Sequence, residues 1–229
     1  MSDRRMKEVI KNLEMVKNNI TKAAVESGRD PRDIKLIIVT KKFTQDSIKP
    51  LLDIGHLTFG ENRVKEALNK WPDLMDRYKD VELHMLGSLQ SNKVKDALTI
   101  FSSIHTIDRV KLVERILKNS GDNDRLKELF IQLNLAKELQ KNGIYPEQLP
   151  GMLKELHKDI TFKIDGLMCI PPKDEEPSFY FALLRKLSEE NKIRNLSMGM
   201  SRDYKKAVEF GATHIRVGEA IMGSREDVQ

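Results

Sequence analysis

Cysteine is almost absent from this chain. Cys169 stands alone, so no internal disulfide can form, and the lack of a CxxC pair or a Cys/His cluster argues against a structural zinc site. Aromatic side chains make up only 6% of the residues, so aliphatic ones must fill the core. No apolar run is long enough to span a bilayer. The N-terminal stretch Met1–Lys7 is charged and lacks the apolar segment of a secretory signal. Like charges do not gather into a tail: the net charge of +5 comes from 40 basic and 35 acidic side chains that are interspersed. That pattern argues against a nucleic-acid-binding arm and for a solvated Lys/Glu surface with diffuse attraction for anions. A cytoplasmic protein with neither nucleic-acid nor membrane partner is expected.

What is present is a regular alternation. Met6, Val9, Ile10, Leu13, Val16, Ile20 and Ala24 follow one face of a helix, and Gly28 ends it before the turn at Asp30-Pro31. Leu36-Ile37-Ile38-Val39 is short, β-branched and apolar throughout, as a buried parallel strand requires. Further strands are predicted at Leu57–Phe59, Glu82–Leu86, Ser102–Thr106, Leu129–Leu133, Phe162–Leu167, Leu196–Met198 and His214–Val217. Helices are predicted between them at Thr44–Ile54, Glu61–Tyr78, Ser91–Leu98, Asp108–Lys118, Pro146–His157, Pro177–Asn191 and Ser201–Gly211, with a short closing helix at the end. Pro50 is expected to kink its helix or delay its start. Strict alternation implies a parallel sheet, and eight βα units without a linker imply one (β/α)8 TIM-type barrel over residues 1–229, with an extra N-terminal helix over 1–28 packed on it. A doubly wound open sheet is the alternative.

In a barrel, function gathers where strands end and βα loops begin. Lys41 emerges directly from the first strand, where it reads either as an amine of lowered pKa that attacks a carbonyl or as a lysine that has reached solvent. Lys42 reads as a surface residue. Gly60 permits a tight turn, Glu61 complements a helix start, and Asn62 can hydrogen-bond a ring substituent. His84 reads as a mouth-side acid or base, or as a satisfied core residue. Asn134 is polar at a mouth position, Met168 lines the pocket or packs the rim, and Cys169 has no cation beside it and reads as inert. Gly199-Met200-Ser201 leads into a helix after strand seven, and Arg216-Val217-Gly218-Glu219 into another after strand eight. Glycine-containing loops in those two places favour a phosphate. Closing the barrel sets strand eight beside strand one, so Lys41 and Arg216 become neighbours, and a phosphorylated aldehyde satisfies both features.

Seven stretches then carry a resemblance: Val39-Thr40-Lys41, Phe59–Asn62, His84–Lys93, Ile104–Asp108, Gly166–Pro171, Leu196–Ser201 and Ile215–Gly218. With these motifs in this order the chain resembles the YggS/PROSC family of pyridoxal 5′-phosphate (PLP) homeostasis proteins, which are similar to the N-terminal barrel of alanine racemase. The resemblance implies PLP as a Schiff base on Lys41, phosphate bound by Ser201 and the N–H groups around Gly218, Arg216 beside the pyridine nitrogen, and Asn62 on the ring-oxygen side. The chain departs from the pattern at Thr40, Arg63 and Glu219, where serine, tyrosine and threonine or serine are usual. Only the backbone N–H of Glu219 is therefore credited with phosphate.

An arginine at the ring nitrogen disfavours its protonation and weakens the cofactor as an electron sink. Racemases of this fold add a second domain, and this sequence stops soon after strand eight. The expectation is a monomeric PLP carrier without a dedicated activity, which passes cofactor to PLP-dependent apo-enzymes. The alternatives are an amino-acid racemase-like enzyme and a Schiff-base aldolase of a phosphorylated substrate, the latter needing His84 near Lys41.

Overall fold

The chain's computed structural model describes residues 3–121, 124–157 and 163–223. A long helix α1 (Asp3–Glu26) precedes β1 (Lys35–Val39) and α2 (Gln45–Asp53). Then come β2 (Thr58–Glu61), α3 (Val64–Lys70), α4 (Pro72–Arg77), β3 (Glu82–Met85), α5 (Val94–Leu98), β4 (Ser103–Ile107) and α6 (Val110–Ser120). The second half runs β5 (Glu128–Leu133), α7 (Leu149–Leu156), β6 (Gly166–Cys169), α8 (Pro177–Glu190), β7 (Asn195–Ser197), α9 (Tyr204–Glu209), β8 (His214–Val217) and α10 (Glu219–Met222). All eight strands are parallel and close into one barrel in sequence order, which sets the open-sheet alternative aside.

Side chains alternate across each strand. The outward set, including Leu36, Ile38, Phe59, Leu83, Met85, Ile104, Leu129, Ile131, Leu167, Ile215 and Val217, joins the helices in one continuous apolar layer. The inward set is unusually polar. Lys35 of β1 crosses the interior to Glu82 of β3 at 3.0 Å and to Glu128 of β5 at 3.4 Å. His105 of β4 reaches Ser197 of β7, and its ring stacks on Phe130 with centroids 4.1 Å apart. Gly166 has no side chain because a Cβ would stand 2.2 Å from Phe130. Gly60 likewise lies inside β2, where a Cβ would be 2.4 Å from Leu86, so it makes room within the barrel and does not serve a tight turn.

Several boundaries differ from expectation. α2 begins at Gln45 and runs through Pro50, so the proline does not delay it; the lost backbone bond is outweighed by burial of Ile48, Pro50, Leu51 and Leu52. The single helix expected over Glu61–Tyr78 is two, because Pro72 opens α4 at its first turn and Glu61 still belongs to β2. The sixth strand covers Gly166–Cys169, later than expected, and Phe162 of the expected strand lies outside the described residues. The helix expected from Ser201 begins at Tyr204.

Helix α1 buries Val9, Leu13, Val16, Ile20, Ala23 and Ala24 against the outside of the barrel. Its amides continue the contact: Asn12 donates to the Ile221 carbonyl of α10 at 3.3 Å, and Asn19 to the Tyr204 hydroxyl of α9 at 2.9 Å. It therefore braces the two helices that follow β7 and β8. Leu13 is 1% exposed, and Leu13→Ala is expected to cost about 2–5 kcal/mol of unfolding free energy. Urea denaturation measures this, and a loss well under 1 kcal/mol would mean that α1 is not packed as described.

Candidate functional site

The site is built where β8 closes on β1. Their register pairs Ile37 with Arg216 and Ile38 with Val217. A Cβ on Gly218 would lie 3.3 Å from the Val39 carbonyl, so the loop after β8 runs tight against the end of β1. Directly after Val39, Thr40 to Phe43 make a turn closed by the Phe43 N–H on the Thr40 carbonyl at 3.1 Å. Lys41 is its second residue and is half-buried. Lys42, the third, is exposed and takes a φ of +68°, a conformation that lysine rarely adopts.

A buried ion cluster holds that turn from below. Lys70 is 7% exposed, and its three ammonium protons meet three oxygens at 2.9 Å: the Thr40 carbonyl, Glu61 Oε1 and Glu66 Oε1. Glu61 Oε1 also accepts from the Thr40 hydroxyl at 2.7 Å and the Trp71 indole at 3.1 Å. Glu66 accepts from the Lys42 N–H, on the far side of Lys41. Both flanks of Lys41 are thus tied to one ammonium and two carboxylates. Burial pushes the Glu61 carboxyl above its ordinary range even with Lys70 against it. Its role is to hold this turn and not to start a helix.

The loops after β7 and β8 meet each other. The Ser201 hydroxyl accepts from the Ala220 N–H at 3.2 Å. Ser201 lies in the turn before α9, so it is not the cap of a longer helix. Gly199 has φ of +93°, and a Cβ there would stand 2.5 Å from Ala207, so its value is close packing under α9. Asp203 accepts from the Met200 N–H at 2.6 Å and holds the loop in shape. The Glu219 side chain is exposed.

Arg216 is 4% exposed. Its Nη1 donates to Ser197 Oγ at 2.6 Å and its Nη2 to the Cys169 carbonyl at 2.9 Å, both neutral oxygens. Burial lowers its pKa, the expected direction for a cation taken out of water. Behind Ser197, His105 Nδ1 lies 2.7 Å away, and His105 Nε2 lies 2.9 Å from His84 Nδ1. His84 is therefore inside the barrel, 1% exposed, and not at its mouth. Met168 packs beside the same interior, 0% exposed within β6. Cys169 is buried, and burial pushes its thiol up to about 12. Asn134 binds the carbonyls of Glu138 and Lys141 at 2.8 and 3.2 Å, so it shapes its own loop. Asn62 is half-buried beside Gly87, where a Cβ would stand 2.1 Å from the Asn62 carbonyl oxygen.

Comparison with known proteins now has a geometry to attach to. The description "Alanine racemase, N-terminal domain" matches residues 12–226. The chain belongs to this family. It is 35% identical over 223 residues to the pyridoxal phosphate homeostasis protein of Aquifex aeolicus (strain VF5), covering 93% of this chain and 97% of that protein. PipY of Synechococcus elongatus PCC7942, solved with PLP bound, matches with a TM-score of 0.76 and 35% identity over 89% of this chain and 100% of that one. Alanine racemase from Acinetobacter baumannii shares the fold, with a TM-score of 0.70 at 14% identity, and the match spans 94% of this chain and 61% of the racemase.

The family barrel brings Lys41, Ser201, Arg216 and Gly218 to one side of its rim, where β1, β7 and β8 adjoin. Sequence reasoning missed Lys70, Ser197 and His105. Lys70 looks like any helical surface lysine, and its partner Glu61 stands nine positions away on a strand. The one available signal for the other two was their place on inward-facing strand positions.

Two measurements probe these groups. Lys70→Met leaves Glu61 buried and uncompensated, and a loss of about 3–5 kcal/mol is expected in urea unfolding. Adding Glu61→Gln to that variant should recover most of it, and a double variant no better than the single would contradict the ion-cluster account. The second concerns acid. Burial holds His56 at about 4 and His84 at about 3, and drives His105 well below its ordinary value. A depressed histidine pKa means that the folded chain binds fewer protons than the unfolded one. Its stabilising contribution is therefore full above about pH 6.5 and is lost as the pH falls from there toward 4. Unfolding free energy is expected to decline between about pH 6.5 and pH 5 with a limiting slope near 1.4 kcal/mol per pH unit for each of these histidines. A flat profile there would contradict neutral burial.

Proposed function

We propose that this chain binds pyridoxal 5′-phosphate as a Schiff base on Lys41 and serves PLP homeostasis as a carrier, without a dedicated catalytic activity. The observation that carries the reading is the closure of β8 on β1, which sets the end of β1, two residues before Lys41, against the Gly218 loop. The donor set fits the cofactor. The Ser201 hydroxyl and the N–H groups around Gly218 suit a phosphate, and their mutual bond supports a shared site. Glu219 is exposed, so its carboxylate is free to turn to solvent away from that cup. Asn62 takes the ring-oxygen side.

Arg216 suits the pyridine nitrogen. Bound PLP supplies a carbonyl for amines and, when its ring nitrogen is protonated, an electron sink. A guanidinium only donates hydrogen bonds, so beside that nitrogen it favours the unprotonated ring and a weak sink. The neutral oxygens that hold Arg216 leave its charge in place. This favours storage and delivery over turnover, with PLP-dependent apo-enzymes as transient acceptors and the monomer as the acting unit in the cytoplasm. The family relatives named for PLP homeostasis and the PLP-bound PipY structure support the same reading. The aldolase alternative loses its acid–base candidate, since His84 is buried, held near a pKa of 3 and bonded to His105.

The test is an absorption spectrum with added PLP, before and after borohydride reduction, followed by mapping of the labelled peptide. A yellow band trapped on Lys41, absent in Lys41→Ala and about tenfold weaker in affinity for Ser201→Ala, is expected. Label scattered over surface lysines would defeat the proposal. Racemisation of free amino acids at enzyme-like rates would return the weight to a racemase.

A further inference from the structure

The interior of the barrel carries an unbroken polar line from Arg216 toward the floor, and beyond Arg216 none of it is needed to contact a cofactor. Arg216 Nη1 to Ser197 Oγ is 2.6 Å, Ser197 Oγ to His105 Nδ1 is 2.7 Å, and His105 Nε2 to His84 Nδ1 is 2.9 Å. All four side chains are at most 4% exposed. Each link lies in hydrogen-bonding range, so the protons along it are ordered.

We propose that Ser197, His105 and His84 form a one-way hydrogen-bond chain that positions Arg216, with Ser197 donating to His105 and His105 donating to His84. Its direction follows from donor counting. A guanidinium has no acceptor, so Arg216 donates to Ser197 Oγ. Ser197 Oγ has a second lone pair, but among the described residues no acceptor other than His105 Nδ1 stands in reach of its hydrogen, so the hydrogen goes to that nitrogen, which is the unprotonated one. His105 carries its proton on Nε2 and donates it to His84 Nδ1. His84 is left with its proton on Nε2.

The far end of the chain accommodates the same direction. His84 Nε2 is buried without a hydrogen-bond partner among the described residues, 4.0 Å from the Glu82 carboxylate. An N–H there is favourable toward that carboxylate, while the Lys35 ammonium bonded to it and His214 act in the opposite sense, so the direction is decided at Ser197. The reverse chain would leave the Ser197 hydrogen between two donors, with no acceptor among the described residues.

Arg216 thus gains a neutral, rigid support in place of a carboxylate. A carboxylate would neutralise its charge, and a lone serine could rotate away. The three residues are positioning residues: they act on the ring-nitrogen side of the cofactor through Arg216, an effect that rests on the reading of Arg216 given above.

The test separates the two claims. In cofactor-free protein with 15N-labelled histidine, long-range nitrogen–proton correlation spectra at neutral pH should show His84 and His105 both protonated on Nε2 and bare on Nδ1. Ser197→Ala should move the His105 Nδ1 signal toward that of a nitrogen accepting no hydrogen bond. A proton on His105 Nδ1, or no movement in Ser197→Ala, would overturn the chain whatever the protein binds. Should Ser197→Ala not fold, the wild-type tautomers alone decide. With PLP added, Ser197→Ala should weaken binding about tenfold and shift the absorption band, with recovery in Ser197→Thr. Wild-type affinity and band in Ser197→Ala would show that the chain does not position Arg216.

Discussion

Pairing of β8 with β1 is the constraint on which the site depends. The two strands are separated by most of the sequence, and only closure of the barrel makes them neighbours. The end of β1 that leads into Lys41 then lies against Gly218 without any local sequence signal joining them. The small residue at 218 favours the approach, because a Cβ there would stand 3.3 Å from the Val39 carbonyl and would push it back by a few tenths of an ångström. Helix α1 stabilises this seam from outside by holding α9 and α10, the helices that follow the two loops.

Inside the barrel, the protein replaces the aliphatic layers common in such folds with paired ions, imidazoles and a guanidinium. Taking these groups out of water is costly unless every donor finds an acceptor. The floor meets that demand with Lys35, Glu82, Glu128 and His214, where contacts with His214 and Lys35 outweigh burial and hold the Glu128 carboxyl down at about 2. The level above lowers the cost with neutral imidazoles, leaving His84 Nε2 without a partner among the described residues, and the rim meets it with Lys70 saturated by three oxygens. The polar filling is therefore a scaffold for the rim. It fixes the turn that bears Lys41 from one side and the guanidinium of Arg216 from the other.

How much of this was legible in the sequence differs by level. The βα alternation and the eighth strand, His214–Val217, could be read residue by residue, since a two-residue period is unambiguous in His-Ile-Arg-Val. The two ends of β6 could not, because Gly166–Cys169 is apolar on both faces and offers no phase. The split at Trp71–Pro72 was signalled by the proline alone and was overridden by a continuous helical pattern. The places of Lys41, Arg216 and Gly218 at or just past the ends of β1 and β8 were legible from the strand pattern. Glu61 was misread as helix-start chemistry because its partners come from the turn after β1, Thr40, and from the end of α3, Lys70 and Trp71. For His84 the core reading holds and the mouth-side one does not; the sequence left both open because depth depends on barrel tilt and stagger, which a strand pattern does not encode.

The most direct test of the central claim is a crystal structure of this chain grown with PLP. The account predicts continuous density from Lys41 Nζ to the cofactor, the phosphate between Ser201 and the N–H groups around Gly218, and the Arg216 guanidinium against the ring nitrogen. Cofactor density on another lysine, with the Lys41 turn and the Gly218 loop empty, would contradict it.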